Sequence, residues 1–107
     1  MTASNLHSTT DAIQDEENLL SMLSDPDCRS ILVATSESPV DASELEEITD
    51  IPRSTVYRKI EELAETPLLE EFHELDPGGR HSRKFLCQVS EICIRFAQRD
   101  RLLIGID

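Results

Sequence analysis

The segment from Asp41 to Leu63 limits the possible folds of this chain more than any other, because it encodes two short helices with almost nothing between them. Asp41 and Glu44 have capping-box spacing, in which each side chain accepts a hydrogen bond from the other residue's backbone N–H at a helix start. That helix must end near Asp50, since Pro52 forces the preceding residue out of helical geometry and suits the first turn of the next helix. The pattern therefore predicts two short helices joined by a tight turn.

Four helical segments are predicted in all, each with an apolar face. The first opens at the capping-box spacing of Asp11 and Gln14 and runs to about Ser24, and the second opens at Asp25 followed by Pro26. The predicted inward positions are Ile13, Leu19, Leu20 and Leu23 in helix one, and Cys28, Ile31 and Leu32 in helix two. In helix three they are Ala42, Leu45 and Ile48, and in helix four they are Val56, Ile60 and Leu63.

Beyond Pro67 the apolar period changes from that of a helix to the alternation of β-strands. LLEEFHEL and RKFLCQV flank DPGGRHS, whose Asp, Pro and paired Gly are typical of turns, so this segment predicts a hairpin with a basic tip. The last segment also alternates, with apolar residues at Ile92, Ile94, Phe96, Leu102, Ile104 and Ile106. We predict a second hairpin there; a C-terminal helix is the alternative, because short apolar runs suit both.

The 107 residues are enough for one domain with one core, which must be largely aliphatic because aromatic residues are few and Trp is absent. Two short helices followed by a basic-tipped hairpin form the winged helix-turn-helix arrangement, in which the hairpin is the wing. We therefore predict an α+β fold. It comprises a disordered tail over residues 1–10, a DNA-binding domain over 11–90, and a hairpin over 91–107 that extends the sheet or forms a dimer interface.

Acidic side chains concentrate in the first half of the chain. Residues 1–50 contain 12 acidic side chains against a single basic one, Arg29, whereas residues 51–107 contain ten acidic and nine basic ones. Six of these nine basic residues form two clusters, one of Arg53, Arg58 and Lys59 and the other of Arg80, Arg83 and Lys84. An acidic protein can approach DNA through such local basic surfaces. The heavy acid load, with only two Lys, is typical of extreme halophiles; an ordinary acidic cytosolic protein is the alternative.

The sequence lacks the features of several other classes. No apolar run could span a bilayer and the first residues do not resemble a secretory signal, so a cytoplasmic location is expected. The three cysteines form no CxxC pair, which gives no indication of a disulfide framework or a zinc knuckle. The chain contains no Ser/His/Asp order, Gly-rich phosphate loop or metal-ligand spacing, so neither an enzyme nor a cofactor is expected.

The run from Ser43 to Leu63, followed by Leu68-Leu69-Glu70-Glu71, resembles the ArsR-type winged-helix transcription regulators, especially the acidic versions found in haloarchaea. The resemblance covers about residues 15–90. It implies a DNA-binding regulator and suggests metal sensing, but the metal-sensing members carry a cysteine pair on the helix before the recognition helix. The matching stretch, DASELEEI, has none, so a metal effector is not expected. A small-molecule effector is not expected either. A thiolate site formed by Cys87 and Cys93, with His73 near, is the alternative.

The outward face of helix four carries the candidate base-reading side chains. Successive residues of an α-helix are rotated by about 100°, so burial of the apolar stripe points Ser54 and Arg58 outward. Thr55 and Tyr57 lie at the two edges of this outward face. The Arg58 guanidinium can donate two hydrogen bonds to one guanine, at N7 and O6, and the hydroxyl groups can form hydrogen bonds with base edges or phosphates. Phosphate contacts are predicted for Arg53 and Lys59 on this helix and for Arg80, His81, Arg83 and Lys84 in the wing. Arg80 can also enter the minor groove, and His81 could sense pH.

The leading hypothesis is a sequence-specific transcription regulator that binds double-stranded DNA as a homodimer, with its two recognition helices in successive major grooves. One helix and one wing bury too little surface for useful specificity, which is why a dimer is expected, through helix one and the C-terminal strands. The alternative is a winged-helix protein-interaction module or an acidic DNA mimic that binds a basic partner. In that case the outward helix face is only solvated and the wing only promotes solubility.

Overall fold

The computed structural model of the chain describes residues 16–97 and 101–107. Within them, four helices precede four strands: α1 (Glu16–Leu23), α2 (Pro26–Ala34), α3 (Ala42–Thr49), α4 (Arg53–Ala64), β1 (Leu69–Leu75), β2 (His81–Cys87), β3 (Ile92–Ala97) and β4 (Arg101–Ile106). The predicted α+β order is confirmed. The tail over residues 1–10, the helix start at Asp11 and Gln14, the inward Ile13 and the turn over residues 98–100 lie outside the described residues.

The starts of α2 and α3 are set by the predicted caps. The Asp25 carboxylate accepts a hydrogen bond from the Asp27 backbone N–H at 3.0 Å, and a proline occupies the first turn of α2. The capping box of α3 is complete, because the Glu44 N–H donates to Asp41 at 2.7 Å and the Asp41 N–H donates to Glu44 at 2.8 Å. α3 is capped at its end by Asp50 in the left-handed conformation (φ 61°), which Asp tolerates better than most residues. Only a few residues are then needed to reach α4.

A single core joins the helices to the strands. Its buried apolar members are Leu19, Met22, Cys28, Ile31, Val40, Ala42, Leu45, Ile51, Val56, Ile60, Leu63, Leu68, Leu69, Phe85 and Ile104. The core is aliphatic apart from Phe85, as the composition predicts. All three apolar residues of the α4 stripe are completely buried, and this determines which face of α4 points to solvent.

The inward faces of α1 and α3 differ in part from the prediction. In α1 the predicted Leu19 is buried and Leu20 and Leu23 pack half-buried against the core, but Met22, which was not predicted, is buried as well. In α3 the prediction for Ile48 was wrong, because its side chain is 59% exposed. Thr49 takes the inward position one turn after Leu45, and its hydroxyl donates to the Leu45 carbonyl at 2.6 Å, so a polar side chain fits there without an unsatisfied donor.

The first hairpin, formed by antiparallel β1 and β2 and called the wing below, is closed by an Asp-centred turn. The Asp76 carboxylate accepts hydrogen bonds from the backbone N–H groups of Gly78 at 3.0 Å and Arg80 at 2.8 Å. Gly79 adopts a φ of 85°, a conformation that suits Gly best. The predicted turn included His81 and the residue after it and was therefore too long, because this compact loop lets strand pairing begin at His81.

The base of the wing pairs with the loop that precedes α3. The Val40 N–H donates to the Phe85 carbonyl at 3.0 Å, and the Phe85 N–H donates to the Val40 carbonyl at 2.8 Å. Both side chains lie in the core. No strand was predicted at Val40, because one residue cannot show a strand pattern. The pair anchors the wing to the helical part of the protein.

The C-terminal segment is a hairpin, as predicted, and not a helix. Among the described strands it forms a two-stranded sheet of its own, so it does not extend the sheet of the wing. Ile104 is completely buried, and Ile92 and Ile106 pack half-buried against the core, whereas Ile94 and Phe96 remain 47% and 84% exposed. One end of the apolar face of this hairpin therefore reaches the core, and the other end lies in solvent.

None of the helices in the described part of the chain has the length and hydropathy needed to cross a membrane.

Candidate nucleic-acid interface

The outward face of α4 presents the side chains that were predicted to read bases. Ser54, Tyr57 and Arg58 are exposed and Thr55 is half-buried, as expected for the side opposite the buried stripe. Arg58 has no hydrogen-bond or ion-pair partner among the described residues, so its guanidinium is free to meet a ligand. The exposure predicted for this face is confirmed, and the role of these side chains in DNA binding stays a prediction.

Arg53, at the first position of α4, links the two central helices. Its Nε donates to the Glu46 carboxylate at 2.9 Å, and its Nη2 lies 3.4 Å from the Ser43 hydroxyl. The side chain is still 55% exposed, so a surface pair of this kind holds it only weakly. Arg53 can therefore stay near the start of α4 and also meet a phosphate.

Lys59 does not lie with the exposed side chains of α4. It is ion-paired with Asp25 at the start of α2, and only 14% of its side chain is exposed. The pair lowers the pKa of Asp25, mainly through the hydrogen bond from Lys59, and raises the pKa of Lys59 through the same hydrogen bond. Lys59 follows Val56 by three residues and adjoins Ile60, and this spacing could have placed it at the border of the buried face.

This ion pair predicts how the stability of the fold depends on pH. A carboxyl whose folded-state pKa is depressed stabilises the fold above its ordinary pKa, here 3.8, and that contribution is lost as the pH falls through the folded value. We expect Asp25→Asn to have a lower Tm than the parent at neutral pH and the same Tm in strong acid, because Asn still caps α2. Thermal unfolding followed by circular dichroism across pH measures this difference.

Asp27→Asn is the matched control for that prediction, since it removes a carboxylate from the same helix start without breaking the ion pair. Its Tm should stay closer to that of the parent at neutral pH. A Tm difference between parent and Asp25→Asn that is the same at every pH would contradict the role of the Asp25 charge.

Cys28 lies behind this ion pair and is completely buried. Burial, with the nearby Asp25 charge, raises the pKa of the thiol to about 11, so it stays protonated and unreactive at neutral pH. Cys87 and Cys93 are half-buried and free, and His73 instead lies 3.0 Å from the Glu71 carboxylate. The described residues include no group of three or more His, Cys, Asp or Glu side chains arranged to hold a metal ion.

The four basic side chains of the wing that were predicted to contact phosphate differ in exposure and in ion pairing. Arg80 and His81 are exposed at its tip, and Lys84 is half-buried with its Nζ 4.0 Å from Glu74. Arg83, in contrast, donates to Glu71 at 2.8 and 3.1 Å and to Glu61 of α4 at 3.0 Å. The sequence pattern missed these partners, because residues far apart in the chain supply them.

The arginine network changes the electrostatics of the wing. The hydrogen bonds that Arg83 donates to Glu71, and then to Glu61, raise the pKa of Arg83, and the hydrogen bond from Arg83 lowers the pKa of Glu71. The guanidinium also lies over the Phe85 ring, 5.3 Å from its centroid. Of the predicted cations, Arg58 and Arg80 therefore remain exposed and without an acidic partner in the described part of the chain, whereas Lys59 and Arg83 are neutralised.

Residues 23–71 of the chain match the family model of a helix-turn-helix domain. The matched residues run from the end of α1 through α4 into β1 and include both helices of the Asp41 to Leu63 segment. Neither a curated protein nor a solved structure matches the chain. With four helices followed by an antiparallel hairpin, the fold is a winged helix-turn-helix.

Proposed function

We propose that the protein is a transcription regulator that binds double-stranded DNA, with α4 as its recognition helix in the major groove and the wing beside it on the backbone. The observation that carries this proposal is the outward face of α4, where Arg58 is exposed and unpaired between hydroxyl-bearing neighbours. A free guanidinium on a helix-turn-helix recognition helix can donate two hydrogen bonds to one guanine. The helix-turn-helix match over residues 23–71 supports the same function.

The proposed contacts divide into two groups. The α4 side chains that contact base edges or adjacent phosphates are Ser54, Thr55, Tyr57 and Arg58. The side chains that contact the DNA backbone are Arg53, Arg80, His81 and Lys84. Contacts of the second kind fix the orientation of the protein but carry little sequence information. Lys59 and Arg83 are left out of both groups because Lys59 is largely buried in its ion pair and Arg83 is held by two carboxylates.

We further propose that the regulator acts as a homodimer of the ArsR-like, acidic haloarchaeal type in the cytoplasm, without catalytic activity, cofactor or metal effector. A single helix and wing offer less contact surface than specific DNA recognition usually requires. The exposed Ile94 and Phe96 of the C-terminal hairpin, together with α1, are the proposed dimer surface. Sedimentation velocity on the parent protein tests the dimer directly.

An electrophoretic mobility shift with sheared chromosomal fragments tests DNA binding. The proposal requires that a subset of fragments shifts at protein concentrations that leave the remaining fragments free. If no fragment shifts and the protein instead competes with DNA for a basic partner, it is a mimic or an interaction module and the proposal fails.

The charge distribution predicts an unusually weak dependence of DNA affinity on salt. Each phosphate neutralised adds about −0.9 to the slope of log affinity against log salt, so the six contacts that Arg53, Arg80 and Lys84 would make in a homodimer would give about −5. We expect a shallower slope, because added salt also screens the repulsion between DNA and the acidic first half of the chain. Fluorescence anisotropy titrations from about 50 to 200 mM salt measure the slope. A slope of −5 or steeper over the whole range would contradict this prediction.

A further inference from the structure

The tip of the wing extends away from the core of the protein. Leu69 and Phe85 are buried at its base, whereas residues 73–81 are exposed. A two-stranded hairpin has little stability of its own and gains a fixed orientation only from what it packs against. The direction in which Arg80 and His81 point therefore depends on the contacts that the wing makes above its base.

Arg83 supplies such a contact between the wing and α4. One nitrogen of its guanidinium donates to Glu61 of α4 at 3.0 Å. The guanidinium also forms a bidentate ion pair with Glu71 on the neighbouring strand. The flat face of the guanidinium lies over Phe85. Glu71 and Phe85 both belong to the wing, so the bond to Glu61 is the one that links the guanidinium to α4. Restrained by all three contacts, the side chain acts as a strut between the wing and the helix.

The charges around Arg83 argue against a phosphate contact. Its single positive charge lies within 3.1 Å of two carboxylates, so the cluster as a whole is negative. A phosphate brought to this cluster would meet repulsion unless both carboxylates moved away. The exposed Arg80 guanidinium has no ion pair among the described residues, so it can contact a phosphate without displacing a carboxylate.

We propose that Arg83 is a positioning residue that sets the angle of the wing to the recognition helix, so that Arg58 and Arg80 can contact one duplex together. This inference rests on the proposed DNA-binding function. Glu61 is the informative residue to change, because the two possible roles of Arg83 predict opposite results. A positioning role requires Glu61, whereas a phosphate contact would be strengthened when Glu61 no longer holds the guanidinium.

The first experiment compares Glu61→Gln with Glu62→Gln in titrations against a fragment that the parent binds. Both variants remove one negative charge from the same exposed stretch of α4, but Glu62 has no ion pair among the described residues. We expect Glu61→Gln to bind about three- to fivefold more weakly than the parent, the scale of a partly exposed ion pair, and Glu62→Gln to bind equally or more tightly. Tighter binding by both variants would overturn the inference.

The second experiment needs no DNA. Order parameters from ¹⁵N relaxation report the orientational freedom of the amides of residues 73–84 in the free protein. They should fall in Glu61→Gln and remain at the parent value in Glu62→Gln. Unchanged values in Glu61→Gln overturn the positioning role whatever the DNA titrations show, whereas a parent protein that shifts no fragment overturns only the proposed DNA-binding function.

Discussion

Phe85→Ala is expected to lower the free energy of unfolding by about 3–5 kcal/mol, the usual cost of deleting a buried phenyl ring. The Phe85 side chain is 1% exposed, and it is the one aromatic residue in an otherwise aliphatic core of the described residues. Its backbone also pairs with Val40, so a cavity at this position lies where the wing joins the helices. Urea denaturation followed by circular dichroism measures the change.

Val33→Ala provides the control for that measurement, because Val33 is an apolar residue that is 73% exposed on α2. Its free energy of unfolding should change by less than about 0.5 kcal/mol, as for most surface substitutions. The assignment of Phe85 to the core fails if the two variants have equal stability.

The second large effect is expected at Arg58. Arg58→Ala should weaken binding to the specific site by about 1–3 kcal/mol and relax discrimination at one base pair, because a two-pronged bond to guanine is lost. The fold should remain intact, since the side chain is exposed and Ala is a good helix former. Titrations against specific and scrambled duplexes measure both quantities, and circular dichroism confirms folding.

Arg80→Ala serves as the comparison, because the contacts proposed for the wing tip are with the DNA backbone or the minor groove and not with the major-groove bases. It should weaken binding to specific and scrambled duplexes by nearly the same factor. If Arg58→Ala also weakens both equally, or binds its site like the parent, Arg58 does not read a base and α4 is not the recognition helix.

Local signals in the sequence predicted most of the helix boundaries. The caps at Asp25 and Asp41 act within three residues of themselves, and the buried stripe of α4 follows from its own periodicity. The alternation along the last segment likewise predicted the second hairpin. Such features are readable because every residue that determines them is close in the chain.

The features that the sequence did not reveal depend on residues distant in the chain. Arg83 was predicted to contact phosphate as a member of the basic cluster in the wing, yet its carboxylate partners Glu61 and Glu71 come from α4 and β1. Lys59 finds Asp25 across the core in the same way. Counting basic residues in the sequence therefore overestimates the positive charge available to bind DNA, because acidic side chains from elsewhere in the chain neutralise some of these residues.

The backbone pair between Val40 and Phe85 also determines how the protein can open. It closes a loop of the chain that contains α3, α4 and β1, so neither central helix can leave the core freely while the pair is intact. Local opening of α4 and detachment of the wing should consequently belong to one cooperative unit. The amide hydrogens of Val40 and Phe85 should then exchange with solvent at a rate set by unfolding of that whole unit, and more slowly than those at the tip of the wing.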